Sequence, residues 1–408
     1  MAEDLKPSDA AQVAEALAWA AGSQKTIELV GAGSKTALGR PIETDYRLHL
    51  TALEGVNLYE PEELVLRAGA ATSLGQIQAM LAQQRQQLAF EPPDFSDLYG
   101  NLTDQTIGGV LSANLAGPRR IKAGAARDHF LGLEAVSGRG AAFKSGGRVV
   151  KNVTGYDLCK LMAGSFGTLA ALTEVTVKVL PVPEKTRTVL LFGQDDPAAI
   201  TAMSQAAGSP HEVSALAHLP SAIAARSAVS YIKDAGAAVT AVRVEGPEPS
   251  VEHRTEALRR MWGGHGAVEE LHGHNSNTLW REVANVAPLL PDPDAIIWKL
   301  SVTPSTGADV MAKALSAGGA GYYDWAGGLL WLALPGSEKG GEDGGAALVR
   351  GAVGGDGHAT LMRGPAELRA KVDVFQPSAP ALAALSARIK DSFDPHGILN
   401  PGRMHGAY

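Results

Sequence analysis

Cysteine is almost missing from this chain of 408 residues: Cys159 is the only one. A lone thiol excludes an internal disulfide framework and a self-contained iron–sulfur cluster, since both need several sulfurs. Basic charge is short as well. The 36 lysines and arginines are outnumbered by 43 aspartates and glutamates, which gives a formal charge of −7 and no basic field for nucleic acid. No apolar run reaches about eighteen residues, so nothing reads as a membrane span. The opening Met1-Ala2-Glu3-Asp4-Leu5-Lys6-Pro7 lacks the basic-then-apolar pattern of a signal peptide. No fixed-period repeat is present. Paired metal histidines are missing too: His272-Gly273-His274 reads as a solvated loop, and His358 stands alone on a glycine-rich segment. These absences leave a globular cytoplasmic protein, free to dock to a membrane-bound partner. Its length makes two domains the expectation.

Glycine, by contrast, is plentiful, and its placement is informative. A helix is expected over 8–22, with Ser8 or Asp9 as its cap, and a strand over 26–30. The strand runs into Gly31-Ala32-Gly33-Ser34-Lys35-Thr36. This loop is not a dinucleotide fingerprint, because a third glycine would fall at Thr36. It is not a Walker loop either, because Lys35 does not follow glycine. It suits a short turn whose amides and Ser34 hydroxyl hold a diphosphate, or an ordinary turn. Further strands are expected over 46–50 and 64–68, then a helix over 73–85, before Glu91-Pro92-Pro93 ends regular structure.

Four glycine clusters then follow within about 65 residues, and glycine lets backbone approach a ligand closely. They are Thr106-Ile107-Gly108-Gly109, Gly117-Pro118-Arg119-Arg120, Gly155-Tyr156-Asp157 and Gly164-Ser165-Phe166-Gly167-Thr168. Small residues continue through Ala113 and Asn114, and Thr106 and Asn114 can hydrogen-bond a ligand. Asp157 is equally suited to capping the helix that follows, in which Cys159 is a buried, inert thiol. Ser165 lacks the first glycine of a nucleophile elbow and reads as a turn residue. Residues 133–137 and 141–144 read as a hairpin, and 173–179 as a half-buried strand. After Pro183 an α/β segment begins, with strands over 189–192, 238–244 and 296–302 and helices over 198–207 and 251–261. The stretch 335–357 is rich in Gly, Ser and Glu and is expected to be a flexible insertion. Helices over 366–374 and 379–393 precede Phe393-Asp394-Pro395-His396-Gly397-Ile398-Leu399-Asn400-Pro401-Gly402-Arg403.

The order of these strings, with Lys151-Asn152-Val153-Thr154-Gly155-Tyr156-Asp157-Leu158 and the C-terminal run the most specific, resembles one domain type. It is the FAD-binding domain shared by relatives of vanillyl-alcohol oxidase and p-cresol methylhydroxylase. More narrowly, the chain is similar to the FAD-binding E subunits of bacterial glycolate oxidases. UDP-N-acetylmuramate reductase has the same domain type, but the two strings do not suggest it. The resemblance implies an α+β fold with a two-part FAD-binding domain, formed by 1–182 and a returning 376–408, and an α/β cap over 183–375. It implies FAD held by Gly31, Ala32, Gly33, Ser34, Lys35, Pro92, Thr106, Ile107, Gly108, Gly109, Ala113, Asn114, Gly117, Gly155, Asp157, Gly164, Thr168, Val175 and Asn400, with Asn400 near the flavin ring. The flavin is expected to be non-covalent, because the Gly31–Lys35 loop has no His or Cys to attach it and Cys159 falls inside a helix.

The activity implied is hydride transfer from the α-carbon of glycolate, or a related 2-hydroxy acid, to flavin. Electrons then pass to a separate iron–sulfur subunit beside a second, catalytic flavoprotein. No catalytic residue or metal site is identified in this chain. Three departures stand out. Ala170 replaces a glycine common in relatives, and Gly355-Asp356-Gly357-His358 keeps only the outline of the partner subunits' metal motif. In Tyr323-Asp324-Trp325-Ala326-Gly327-Gly328-Leu329-Leu330-Trp331, Leu330 stands where relatives often have arginine. These absences favour an accessory flavin-carrying subunit that is slow alone. A self-sufficient D-lactate-type dehydrogenase and a structural subunit that has lost flavin are the alternatives. Valine at Gly108 or Gly109 is expected to abolish flavin binding with little loss of fold.

Overall fold

A computed structural model describes residues 2–148, 155–336 and 341–406. The Asp9 carboxylate accepts from the Gln12 amide at 2.9 Å and caps the helix Ala10–Gly22. Val13, Leu17, Ala20 and Ala21 form its buried stripe. Strands β1 (Glu3–Leu5) and β2 (Ile27–Val30) both pair in parallel with β3 (Tyr46–His49). The far end of the chain joins this small sheet. Ile27 donates to the Ile398 carbonyl at 2.8 Å, and the Asn400 amide donates to the Ile27 carbonyl at 2.9 Å.

A second sheet is antiparallel. It comprises β4 (Val56–Glu60) and β5 (Val65–Gly69), then, beyond the short β6 (Gln86–Gln87), β7 (Phe130–Ser137), β8 (Ala142–Gly146) and β9 (Ala170–Lys178). Their order is β4-β5-β9-β7-β8, and β6 pairs with β10 (Leu180–Pro181). The third sheet has eight strands: β11 (Lys185–Phe192), β12 (Ala215–Leu219), β13 (Val239–Gly246), β14 (Val268–His272), β15 (Ile296–Ser301), β16 (Ala320–Asp324), β17 (Leu329–Leu334) and β18 (His358–Arg363). Their order is β14-β11-β13-β12-β16-β17-β15-β18.

Side chains alternate across this sheet, so each strand serves two cores. One face carries Trp298, Leu300, Leu330 and Leu332 against helices Asp196–Ala207, Glu248–Trp262 and Gly307–Ala314. The other carries Ile297, Tyr322 and Trp331 into a core shared with Leu66, Phe90, Phe95 and Ile107 of the N-terminal half. This mixed architecture is the α+β fold expected from the sequence.

Two local expectations fail. The stretch 335–357 contains a helix, Ala346–Val353, with Ala346, Val349 and Val353 buried. Its own residues are good helix formers at helical spacing, and the glycines around them had masked this. His272-Gly273-His274 is not a loop: His272 ends β14 and Gly273 opens the helix Gly273–Ala284. The string Lys151–Thr154 lies outside the described residues.

Candidate flavin cleft

Where β2 ends, the chain turns through Gly31–Thr36, and this loop forms one wall of a cleft. Its empty volume, open mouth included, is about 850 Å³, within the range of cofactor sites. Gly31, Ala32, Gly33, Ser34, Lys35, Thr106, Gly108, Gly109, Ala113 and Asn400 all line it, brought together from three distant parts of the sequence. The opposite wall starts at Thr106, whose hydroxyl accepts from the Gly109 amide at 3.2 Å and caps the helix Ile107–Ser112.

Gly108 and Gly109 have different jobs. A Cβ on Gly108 would lie 2.7 Å from the Ala70 carbonyl oxygen, so this glycine lets the helix backbone touch the turn that follows β5. A Cβ on Gly109 would lie 3.1 Å from the Thr106 hydroxyl and 3.8 Å from the Lys35 ammonium, on the cleft side.

Lys35 is the principal charge of the loop. Its ammonium donates to Gln105 Oε1 at 2.8 Å and to Ser34 Oγ at 3.3 Å, with no carboxylate among these partners. Burial pulls it down to about 8, opposed by Asp94 and Asp104. A half-buried ammonium with no carboxylate in hydrogen-bond contact, beside glycine amides, suits a diphosphate. This donor set fits the pyrophosphate of FAD.

The C-terminal string closes the cleft. Asn400 Oδ1 accepts from the Leu29 amide at 2.8 Å, and its Nδ2 donates to the Phe166 carbonyl at 2.7 Å. Arg403 donates to Glu28 at 2.7 Å and to the carbonyls of Thr36 and Leu38 at 3.0 and 3.2 Å. Arg403 therefore braces the end of the glycine loop, while Asn400 ties β2 to the turn at Phe166. Behind them, Lys390 donates to Asp394 at 2.6 Å and to the Thr168 and Leu399 carbonyls, while Asp394 accepts from the amides of Ile398 and Leu399. This buried ion pair holds the string in place.

The remaining expected residues do not line this cleft. Asp157 caps its helix, accepting from the Lys160 amide at 3.2 Å. Gly155 is exposed beside it. Asn114 Oδ1 accepts from the Arg127 amide, and Gly164 donates to the Leu111 carbonyl. Thr168 bonds the Ser165 carbonyl, and Val175 is buried in β9. Ile107 is core, while Gly117 accepts from the Trp325 indole at 3.1 Å. Pro92 borders a separate polar cleft with Arg119 and Arg243. Cys159 is buried, and burial pushes its thiol up to about 12, which fits the expected inert role. Sequence reasoning missed Leu29, Ser112, Phe166, Gly167, Leu172 and Arg403, all of which line the cleft. Phe166 and Gly167 had a signal as members of a glycine cluster, and Arg403 as the last residue of the C-terminal string.

No group of three or more metal-ligating side chains occurs among the described residues, and no helix there is long and apolar enough to cross a membrane.

Comparison with known proteins agrees with this geometry. The family described as an FAD binding domain matches residues 4–146, and that of FAD linked oxidases, C-terminal domain, matches residues 374–404. The glycolate oxidase subunit GlcE of Escherichia coli (strain K12) is 32% identical over 387 residues, 94% of either chain. Glycolate oxidase subunit GlcD of Bacillus subtilis (strain 168) is 36% identical over 181 residues, 44% of this chain and 37% of that one. The fold is that of p-cresol methylhydroxylase, with a TM-score of 0.72 at 14% identity over 99% of this chain and 89% of that one. On the likeness to GlcE along nearly its whole length, joined to the two FAD-linked family matches, the chain belongs to the family of glycolate oxidase subunit GlcE and is an FAD-dependent oxidoreductase.

Proposed function

We propose that this chain is the flavin-carrying subunit of a glycolate oxidase-type assembly that oxidises a small 2-hydroxy acid to the 2-oxo acid. The end-to-end similarity to GlcE carries this reading. When bound, FAD supplies the hydride acceptor for the substrate α-carbon. The residues proposed to hold it are Gly31–Lys35, Thr106, Gly109, Ala113, Asn400 and Arg403. Lys35 offsets the diphosphate charge, Arg403 braces the loop against it, and Asn400 holds the end of β2 behind it. No His, Cys or Tyr lines the cleft among the described residues, which supports non-covalent FAD. With one cysteine the chain cannot ligate a cluster. Electrons therefore leave through a separate iron–sulfur subunit, with a second flavoprotein completing the assembly.

The test is a dye-linked glycolate assay of the purified chain, alone and then with those two subunits. The chain is expected to be yellow, to release its flavin on acid precipitation, and to turn over slowly until the partners are added. Equal rates alone and assembled would replace the accessory reading with a self-sufficient dehydrogenase. One observation favours that second reading: Leu330 faces the outer helices, so the missing arginine takes nothing from the flavin side of the sheet.

A further inference from the structure

The inward face of the third sheet does carry a cation. Side chains alternate along β15, so Lys299 shares the face of Ile297 and lies opposite Trp331 in the ladder. Its ammonium sits 5.3 Å from the Trp325 ring centroid and 5.7 Å from that of Trp331. The Arg120 guanidinium, from the N-terminal half, lies 4.2 Å from the centroid of the same Trp325 ring. Two cations thus share one indole. Among the described residues, neither side chain has a hydrogen bond or ion pair to a carboxylate. One oxygen of the nearby Asp324 carboxylate accepts from the Trp325 amide at 2.7 Å.

The placement of Trp325 is costly. Trp325 and Ala326 are consecutive non-glycine residues in the left-handed region, at φ 48° and 58°. Such positions cost about 1 kcal/mol or more each and concentrate where a ligand is handled. The indole N–H is tied across to the Gly117 carbonyl at 3.1 Å. A strained turn therefore holds the ring against the N-terminal half. The site also connects to the flavin cleft. Trp331 packs edge-on against Phe95 at 6.1 Å. Phe95 lies two residues after Pro93, whose carbonyl accepts from Gln105, and Gln105 in turn accepts from Lys35.

We propose that Lys299 and Arg120, braced on Trp325, form the carboxylate-binding site for the 2-hydroxy acid, at the seam between the eight-stranded sheet and the flavin-bearing half. An incoming carboxylate relieves the repulsion between the two cations and supplies the acceptor that both lack. Its polar partners come one from each half, so binding also fixes the halves' register. Burial pushes the Asp324 carboxyl up to about 7, which limits its competition for the same cations.

The proposal rests on the 2-hydroxy-acid reading, and its test separates the two. Oxalate, a small dicarboxylate without a hydrogen to lose, is titrated by calorimetry into the flavin-loaded full chain. Lys299→Gln, close in size and uncharged, is expected to weaken oxalate about 30-fold, the worth of one charge-assisted hydrogen bond. Arg120→Gln is exposed and safe for folding, and is expected to weaken it about 5-fold, as for a more hydrated contact. Circular dichroism and flavin content of both variants should match the parent. Unchanged oxalate affinity in both variants, or no oxalate binding to the parent, overturns the site. Oxalate binding that depends on Lys299, in an assembly that oxidises no 2-hydroxy acid, supports the site and overturns only the functional reading.

Discussion

Gly109→Val is expected to give a folded protein that no longer holds FAD, whereas Gly108→Val is expected not to fold stably. The difference lies in what each new side chain meets. At Gly109 the nearest atoms are the Thr106 hydroxyl and the flexible end of Lys35. Valine there fills cleft space and displaces the ammonium from the diphosphate position. A loss of FAD affinity beyond about 100-fold is expected, read by fluorescence titration of the apoprotein, with little change in circular dichroism. At Gly108 the Cβ falls 2.7 Å from the backbone oxygen of Ala70, to which the Gly108 amide itself donates at 2.8 Å. Backbone cannot step aside as a lysine tip can. Overpacking of this kind costs about 1–3 kcal/mol or more, seen as a lower urea midpoint. The two glycines, alike in sequence, therefore do not share one expected outcome. A Gly109→Val protein with unchanged FAD affinity would place the flavin elsewhere.

Glu91→Ala is expected to loosen the attachment of the third sheet to the flavin-bearing half by about 3 kcal/mol, the usual effect of orphaning a buried charge. Arg243, on β13, is buried and donates to both Glu91 oxygens at 2.7 and 2.8 Å, and its guanidinium lies 5.0 Å from the Trp280 ring centroid. Arg119 adds a paired contact to Glu245 at 2.8 and 3.0 Å. Removing Glu91 leaves the Arg243 guanidinium with the Ser214 hydroxyl at 3.1 Å and a longer 3.7 Å approach to Glu245 as its remaining carboxylate contact. Chemical denaturation of parent and variant measures the difference, and a change below about 0.5 kcal/mol, the scale of a surface pair, would show that the latch is not cohesive. The same cluster predicts acid sensitivity. Burial raises the Glu245 carboxyl, but Arg243 and Arg119 outweigh it and hold the group at about 2, against an ordinary 4.5. A depressed folded value means the stabilisation is complete above 4.5 and is lost as pH falls from there towards 2. The melting temperature should fall across that window, and less so in Glu245→Gln.

Sequence alone picked out the parts of the cleft wall that depend on local chemistry. Gly31–Lys35, Thr106, Gly108, Gly109 and Ala113 were legible because glycine runs beside strands reflect backbone requirements that few other residues satisfy, and Asn400 was legible through the family resemblance of the C-terminal string. The helix caps at Asp9 and Asp157 were legible for the same reason, since capping involves neighbours three residues apart. What the tertiary structure decided was which face each residue presents and what it meets across the chain. Leu330 and Trp331 are adjacent in sequence, yet strand alternation sends one to the outer helices and the other to the flavin side. Lys299 carried no motif at all. It became a candidate only when β15 and the turn at Trp325 brought it to the same ring as Arg120, far away in sequence. Arg403 reaches back to carbonyls at Thr36 and Leu38, and Glu91 reaches forward to Arg243. Contacts between such distant residues leave no local periodicity, because the chain closes them only when its separate layers pack.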